Sequence, residues 1–219
     1  MDTPQTLPVL DAVELRVLGS LIEKSRTTPD YYPMTLNGLT TACNQKTSRN
    51  PVVAYEEAEV MDALNSLKKR GLVSTATGGS SRAVKFKHNL AIVYPLLPQE
   101  LALLCLLMLR GPLTPGELNT NSGRLYEFES LEEVQEYIDK LATNEPAFIT
   151  QLPKRPGQKE ARYAQLLQGE PQLTDDWSDE ANTTTSPRSG GLEARIVQLE
   201  EELATLRAEF DSLVKELKG

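Results

Sequence analysis

The stretch from Tyr55 to Val73 restricts the fold more than any other part of the chain. Val60, Leu64 and Leu67 recur at helical spacing, with Met61 and Ala63 beside them, while Glu57, Ser66, Lys69 and Arg70 face away. The spacing predicts an amphipathic helix. Glu56, Glu57 and Glu59 stand in its first turn and Lys68, Lys69 and Arg70 in its last, complementing the helix dipole at both ends. Gly71 supplies the left-handed residue that stops it. Leu72-Val73 then opens a strand, Thr77-Gly78-Gly79-Ser80-Ser81 is a turn cluster, and Arg82 to Lys87 alternates as a half-buried strand does. A helix running directly into a β-hairpin leaves few folds to consider.

Two shorter helices precede it. Leu15, Leu18, Leu21 and Ile22 follow the acidic cap Asp11, and Thr35 caps a second helix from Leu36 to Asn44 that carries Leu36, Leu39 and Ala42 inward. Three helices followed by a hairpin is the order of a winged helix. The order then recurs. Gln99 to Leu107 overlays the first helix, Leu113-Thr114-Pro115-Gly116-Glu117-Leu118 overlays Met34 to Leu39, and Val134, Ile138 and Leu141 overlay Val60, Leu64 and Leu67. Ser130 caps the repeated third helix, Ala147 to Leu152 is its first wing strand, and 153–159 is the wing turn. The expected fold class is mainly α with small β-hairpins (α+β), as two tandem winged-helix domains at 1–94 and 95–168.

Three runs carry a resemblance: Thr28-Pro29-Asp30-Tyr31-Tyr32-Pro33-Met34-Thr35-Leu36-Asn37, Ala42-Cys43-Asn44-Gln45-Lys46-Thr47-Ser48-Arg49-Asn50-Pro51-Val52 and Leu109-Arg110-Gly111-Pro112-Leu113-Thr114-Pro115-Gly116-Glu117-Leu118. In these the chain resembles the bacterial YceH family over roughly residues 10 to 167. The resemblance implies two tandem winged helices in a cytoplasmic protein. It implies no biochemical function and carries over no functional residue.

Beyond Gln168 the composition changes. Residues 169–191 combine Pro171, Asp175, Asp176, Asp179, Glu180, a run of three threonines, Pro187 and two glycines, which reads as an acidic linker without a core. Leu192, Ile196, Leu199, Leu203, Leu206, Phe210, Leu213 and Leu217 then form an unbroken heptad seam, predicting a coiled-coil helix over 192–217. With Ile196 at an a position, the pairs Arg195 to Glu200 and Glu202 to Arg207 are attractive in a parallel dimer, so the seam is the expected homodimer interface. The alternative is antiparallel packing on another helix, which uses this charge order less directly.

Charge is distributed unevenly: the three regions 1–94, 95–168 and 169–219 carry +2, −3 and −7, so the overall −8 says little about the first domain. Cys43 and Cys105 are the only thiols, each in a helical pattern, which fits a reducing compartment. The longest apolar run, Leu101 to Leu109, is far short of the ~20 residues of a membrane span, and the N-terminus lacks the pattern of a signal peptide. A cytoplasmic protein without a membrane partner is expected.

Catalytic chemistry finds little support. His88 is the one histidine, placed at the end of a wing strand without ligands at metal spacing, and is read as structural or solvent-facing. The glycine-rich turn lacks the Lys-Ser/Thr and helix of a phosphate loop. No catalytic residue, metal or cofactor is expected. The sharper hypothesis is double-stranded DNA, through Lys46, Thr47, Ser48, Arg49 and Asn50 before the third helix and Arg82, Lys85 and Lys87 on the wing, neutralising about 3 to 5 phosphates. Lys154, Arg155, Lys159 and Arg162 make a similar second wing. Against it stand Glu56, Glu57 and Glu59, and Glu132, Glu133 and Glu136, at the helix starts that would meet DNA. The two readings are a dimeric DNA-binding protein, as a transcriptional regulator, and a double winged-helix interaction protein that docks a protein partner.

Overall fold

The structure, a computed structural model, describes residues 6–76, 83–154 and 158–171. The chain divides into a compact unit Met1–Gln172 and a second unit Leu173–Gly219, and all described residues belong to the first. The expected linker and heptad seam, Leu192 to Leu217 included, lie outside the described residues, as does Arg82.

Helix α1 (Ala12–Thr27) starts at Asp11, whose carboxylate accepts from the Glu14 backbone N–H at 2.8 Å while Glu14 returns the bond to Asp11 at 2.9 Å. Strand β1 (Met34–Thr35) leads straight into α2 (Leu36–Cys43), capped by the Thr35 hydroxyl on Gly38 N–H. Helix α3 (Glu57–Lys69) buries Val60, Ala63, Leu64 and Leu67, and Gly71 follows at φ 74°. Strands β2 (Val73–Ala76) and β3 (Lys85–His88) pair antiparallel, with β1 on the far side of β3, so Phe86 faces both Thr75 and Met34. A single helical turn, α4 (Leu90–Val93), closes this half. Neither β1 nor α4 is predicted by the sequence pattern: both are too short to show a period.

The second half repeats the plan with α5 (Pro98–Arg110), α6 (Pro115–Ser122), α7 (Leu131–Thr143), β4 (Ile149–Gln151) and β5 (Tyr163–Gln165). Thr114 caps α6 as Thr35 caps α2, and Leu113 pairs with Tyr163 as Met34 pairs with Phe86. The repeat therefore extends to the short strand contact that precedes each second helix. The described residues are mixed α and β, with small antiparallel sheets.

Helix α5 is the centre of the unit. Every residue from Glu100 to Leu109 is buried, because α1 covers one side and α6, α7 and β5 cover others. This explains an apolar run without helical periodicity, since a helix buried all round needs no polar face. Gly19 of α1 lies at the crossing, where an added Cβ would sit 2.9 Å from Leu109 Cδ2. The expected boundary at residues 94 and 95 falls between α4 and α5, and buried residues on both sides of it join one core. Tyr94 packs edge-on to Phe148, with ring centroids 5.3 Å apart. Among the described residues no helix is long and apolar enough to cross a membrane.

Candidate nucleic-acid interface

The loop from Asn44 to Glu56 joins α2 to α3 and is closed at its base. Asn44 Nδ2 donates to the Tyr55 carbonyl at 2.8 Å, and Tyr55 N–H donates to Asn44 Oδ1 at 2.9 Å. Arginines then fix its course. Arg16 of α1 donates to the carbonyls of Cys43 (3.1 Å) and Pro51 (2.6 Å), and Arg110 at the end of α5 donates to the Ser48 hydroxyl at 2.9 Å. Asn50 N–H donates to the Leu109 carbonyl at 2.8 Å. The loop is thus held by both halves of the unit.

Arg49 corrects the expected surface. Its side chain has no exposed area; it forks onto Glu23 at 2.6 and 3.0 Å and also donates to the carbonyls of Ala42 and Ser48 and to Gln45 Oε1. All its donors are turned inward, so it has none left for a phosphate. Burial pushes the Glu23 carboxyl up, but the Arg49 hydrogen bonds and charge outweigh it and hold the group below its usual range. Of the other expected loop residues, Lys46, Thr47, Ser48 and Asn50 are exposed.

The outward face of α3 and the hairpin enclose an open groove of about 490 Å³, lined by Leu36, Asn37, Glu57, Met61, Lys68 and Phe86 among others. Lys85 is half-buried and Lys87 exposed, two residues apart on β3 and so on one sheet face. Lys46, Lys68, Lys69, Lys85 and Lys87 make no ion pair or hydrogen bond through their side chains with another described residue. The glutamates at the helix start are engaged: Glu59 Oε2 accepts from Glu56 N–H at 2.8 Å, and Glu57 Oε1 accepts from Asn37 Nδ2 at 3.1 Å. Two of the three carboxylates at the start of α3, of the six that weighed against DNA, are therefore hydrogen-bonded within the protein.

A model of the family described as "Protein of unknown function, DUF480" matches residues 10–158, a span that contains all three runs on which the YceH resemblance rests. The chain is 44% identical over 214 residues to a UPF0502 protein of Shewanella sp. (strain W3-18-1), covering 93% of this chain and 97% of that one. It is 42% identical over 212 residues to a UPF0502 protein of Aliivibrio salmonicida (94% and 96% covered) and 43% identical over 204 residues to one of Opitutus terrae (93% and 85%). The chain belongs to the UPF0502 family. YceH is that family, so the resemblance and the comparisons agree.

Two cations of the expected second wing of this UPF0502 chain are engaged within the protein, while Lys159 is exposed. Arg162 donates to Glu117 at 2.8 and 3.3 Å and to the Pro112 carbonyl at 3.1 Å, and Lys154 Nζ donates to the Lys159 carbonyl at 3.4 Å. Arg155 lies outside the described residues. His88 is structural: Nε2 lies 3.3 Å from the Ser25 hydroxyl, its backbone N–H donates to the Tyr32 hydroxyl at 2.8 Å, and burial pushes its pKa down to about 4, with Arg26 adding to the effect. Sequence reasoning names Lys68 and Lys69 as complements of the helix dipole, with Lys69 facing away from the core, but does not count them among the candidate DNA contacts. The available signal was the position of Lys69 opposite Val60, Leu64 and Leu67, with Lys68 at the edge of that face.

Proposed function

We propose that the UPF0502 chain is a non-enzymatic DNA-binding protein of two winged-helix halves, a transcriptional regulator that dimerises through the 192–217 seam. The first half presents α3 to the major groove while the β2–β3 hairpin follows the neighbouring backbone. The second half acts as a brace, since α5 supports α1 and the α2–α3 loop. One observation carries the reading: Lys46 on the loop before α3, Lys68 and Lys69 in its last turn, and Lys85 and Lys87 on one face of β3 make no side-chain ion pair or hydrogen bond with another described residue. Uncommitted cations suit a polyanion, and each lysine that neutralises a phosphate adds to the salt dependence of binding.

The test replaces Lys46, Lys85 and Lys87 by alanine in the full chain. The expected result is duplex affinity reduced by at least tenfold at low salt, with a shallower salt dependence. Unchanged affinity removes the proposed surface. A second reading draws on the apolar floor of the same groove, Leu36, Met61 and Phe86, which suits a protein partner. In that case the triple variant binds no DNA and neither does the parent.

A further inference from the structure

Four cations meet on the α2–α3 loop. Arg16 donates to the Pro51 carbonyl, Arg49 forks onto Glu23, Lys24 Nζ donates to Gln45 Oε1 at 3.3 Å, and Arg110 donates to the Ser48 hydroxyl at 2.9 Å. Among the described residues Glu23 is the one carboxylate that pairs with any of them, at 2.6 Å from Arg49 and 3.2 Å from Lys24. Four cations against one carboxylate leave an excess of three positive charges. Arg16 and Arg49 give their donors to carbonyls and to Glu23, so the excess opens to solvent at Arg110. This guanidinium is half-buried, has no ion pair, and beyond its bond to Ser48 donates to no other described residue. Burial holds its pKa below the ordinary value, with Glu23 opposing the effect and Arg49 adding to it. A half-buried cation without a counter-ion is a place where an anion is stabilised.

The backbone beside Arg110 is also rich in donors. Ser48 is the one non-glycine residue at positive φ (60°) among the described residues, a conformation found in turns that gather successive N–H groups into an anion-holding concavity. No backbone N–H from Gln45 to Arg49 donates to another described residue. The nearby carbonyls, by contrast, are taken: those of Cys43 and Pro51 by Arg16, those of Ala42 and Ser48 by Arg49. We propose that Arg110 and the Ser48 hydroxyl, with the free N–H groups of this turn, form a phosphate-binding site where the loop meets the end of α5. A phosphate only accepts from such a site: the remaining Arg110 N–H groups can take two of its oxygens and the Ser48 hydroxyl can turn to donate to a third. Its two negative charges offset the local excess better than one carboxylate. The site goes beyond the DNA reading, because the same donors hold a free phosphate or a phosphate of a duplex backbone.

The experiment titrates the full chain with inorganic phosphate by calorimetry at constant ionic strength, and with a random duplex by anisotropy, using the parent and the Arg110→Ala and Ser48→Asp variants. Aspartate tolerates the left-handed conformation at position 48 and sets a carboxylate against Arg110, so it fills the site from within and leaves the loop anchored. Both variants should weaken phosphate by about 10- to 150-fold, the range for hydrogen bonds to a charged group. Phosphate uptake that the duplex does not displace assigns a free phosphate. A duplex affinity that falls by the same factor in both variants, with a salt slope smaller by about one, assigns the duplex backbone. Phosphate bound by the parent without any duplex binding overturns the DNA reading and leaves the site standing. Phosphate bound equally by the parent and either variant overturns the site. So does a parent that takes up no phosphate and either binds no duplex or binds it as tightly as the variants do.

Discussion

Arg49 and Glu23 meet as a two-point fork, Nη1 to Oε1 at 3.0 Å and Nη2 to Oε2 at 2.6 Å, with the guanidinium wholly out of solvent. The pair ties the loop before α3 to the middle of α1. Removing Arg49 leaves the largely buried Glu23 with Lys24 Nζ at 3.2 Å as its remaining cation and takes the donors from the Ala42 and Ser48 carbonyls, which costs about 1–3 kcal/mol. Arg49→Ala is therefore expected to lower the unfolding free energy by that amount in urea titration, and the double variant with Glu23→Ala to recover part of it. A loss below about 1 kcal/mol contradicts the structural role.

Acid should weaken the fold in two separable windows. The unfolded chain binds a proton at His88 near pH 6.5 and the folded chain only near 4, so between these values the unfolded state holds more protons and stability falls as pH falls. The full shift corresponds to roughly 3 kcal/mol. Glu23, also lowered on folding, acts in the same direction. Its contribution is present above the ordinary value of 4.5 and is lost as pH drops through its lower folded value. Denaturant midpoints measured from pH 7 to 3 should decline from about 6.5, and His88→Gln should flatten the upper part alone.

Gly19 is small because of what it meets. A Cβ there approaches Leu109 Cδ2 to 2.9 Å and Met108 Cβ to 3.3 Å. Overpacking of this kind costs about 1–3 kcal/mol, against a helix-propensity gain of up to about 1 kcal/mol for alanine. Gly19→Ala should destabilise slightly and Gly19→Val by more than about 2 kcal/mol, read from thermal unfolding. An unaltered Gly19→Val protein would place α1 and α5 further apart than described.

The two thiols should be inert while the chain is folded. Burial pushes both Cys43 and Cys105 up from their ordinary value, and neither is exposed. Maleimide should label neither in native buffer and both in denaturant. Rapid labelling of either before unfolding contradicts their place in the core.

How much of this was legible from residues alone differs by element. Helices α1, α2, α3 and α7 announce themselves through period and cap, and Asp11, Thr35 and Ser130 each perform the capping expected of them. The strand β1 and the turn α4 do not, because two to four residues cannot display a repeat and their existence depends on partners far along the chain. At the candidate site the exposed Lys46 and Lys87 and the half-buried Lys85 follow from hydrophilicity and strand alternation. Arg49 does not. Its partner Glu23 is 26 residues away, and a basic residue in a polar loop gives no local sign that it turns inward. Lys68 and Lys69 were visible but had a sufficient explanation in the helix dipole, and the sequence pattern gives no sign of the open groove that Lys68 lines.

The most direct test of DNA binding by the first half is fluorescence anisotropy of the full chain with a random duplex at about 50 and 200 mM salt. Three to five phosphate contacts predict affinity that falls by about 40- to 500-fold across that range. Absence of binding at both salt concentrations, or affinity indifferent to salt, contradicts it.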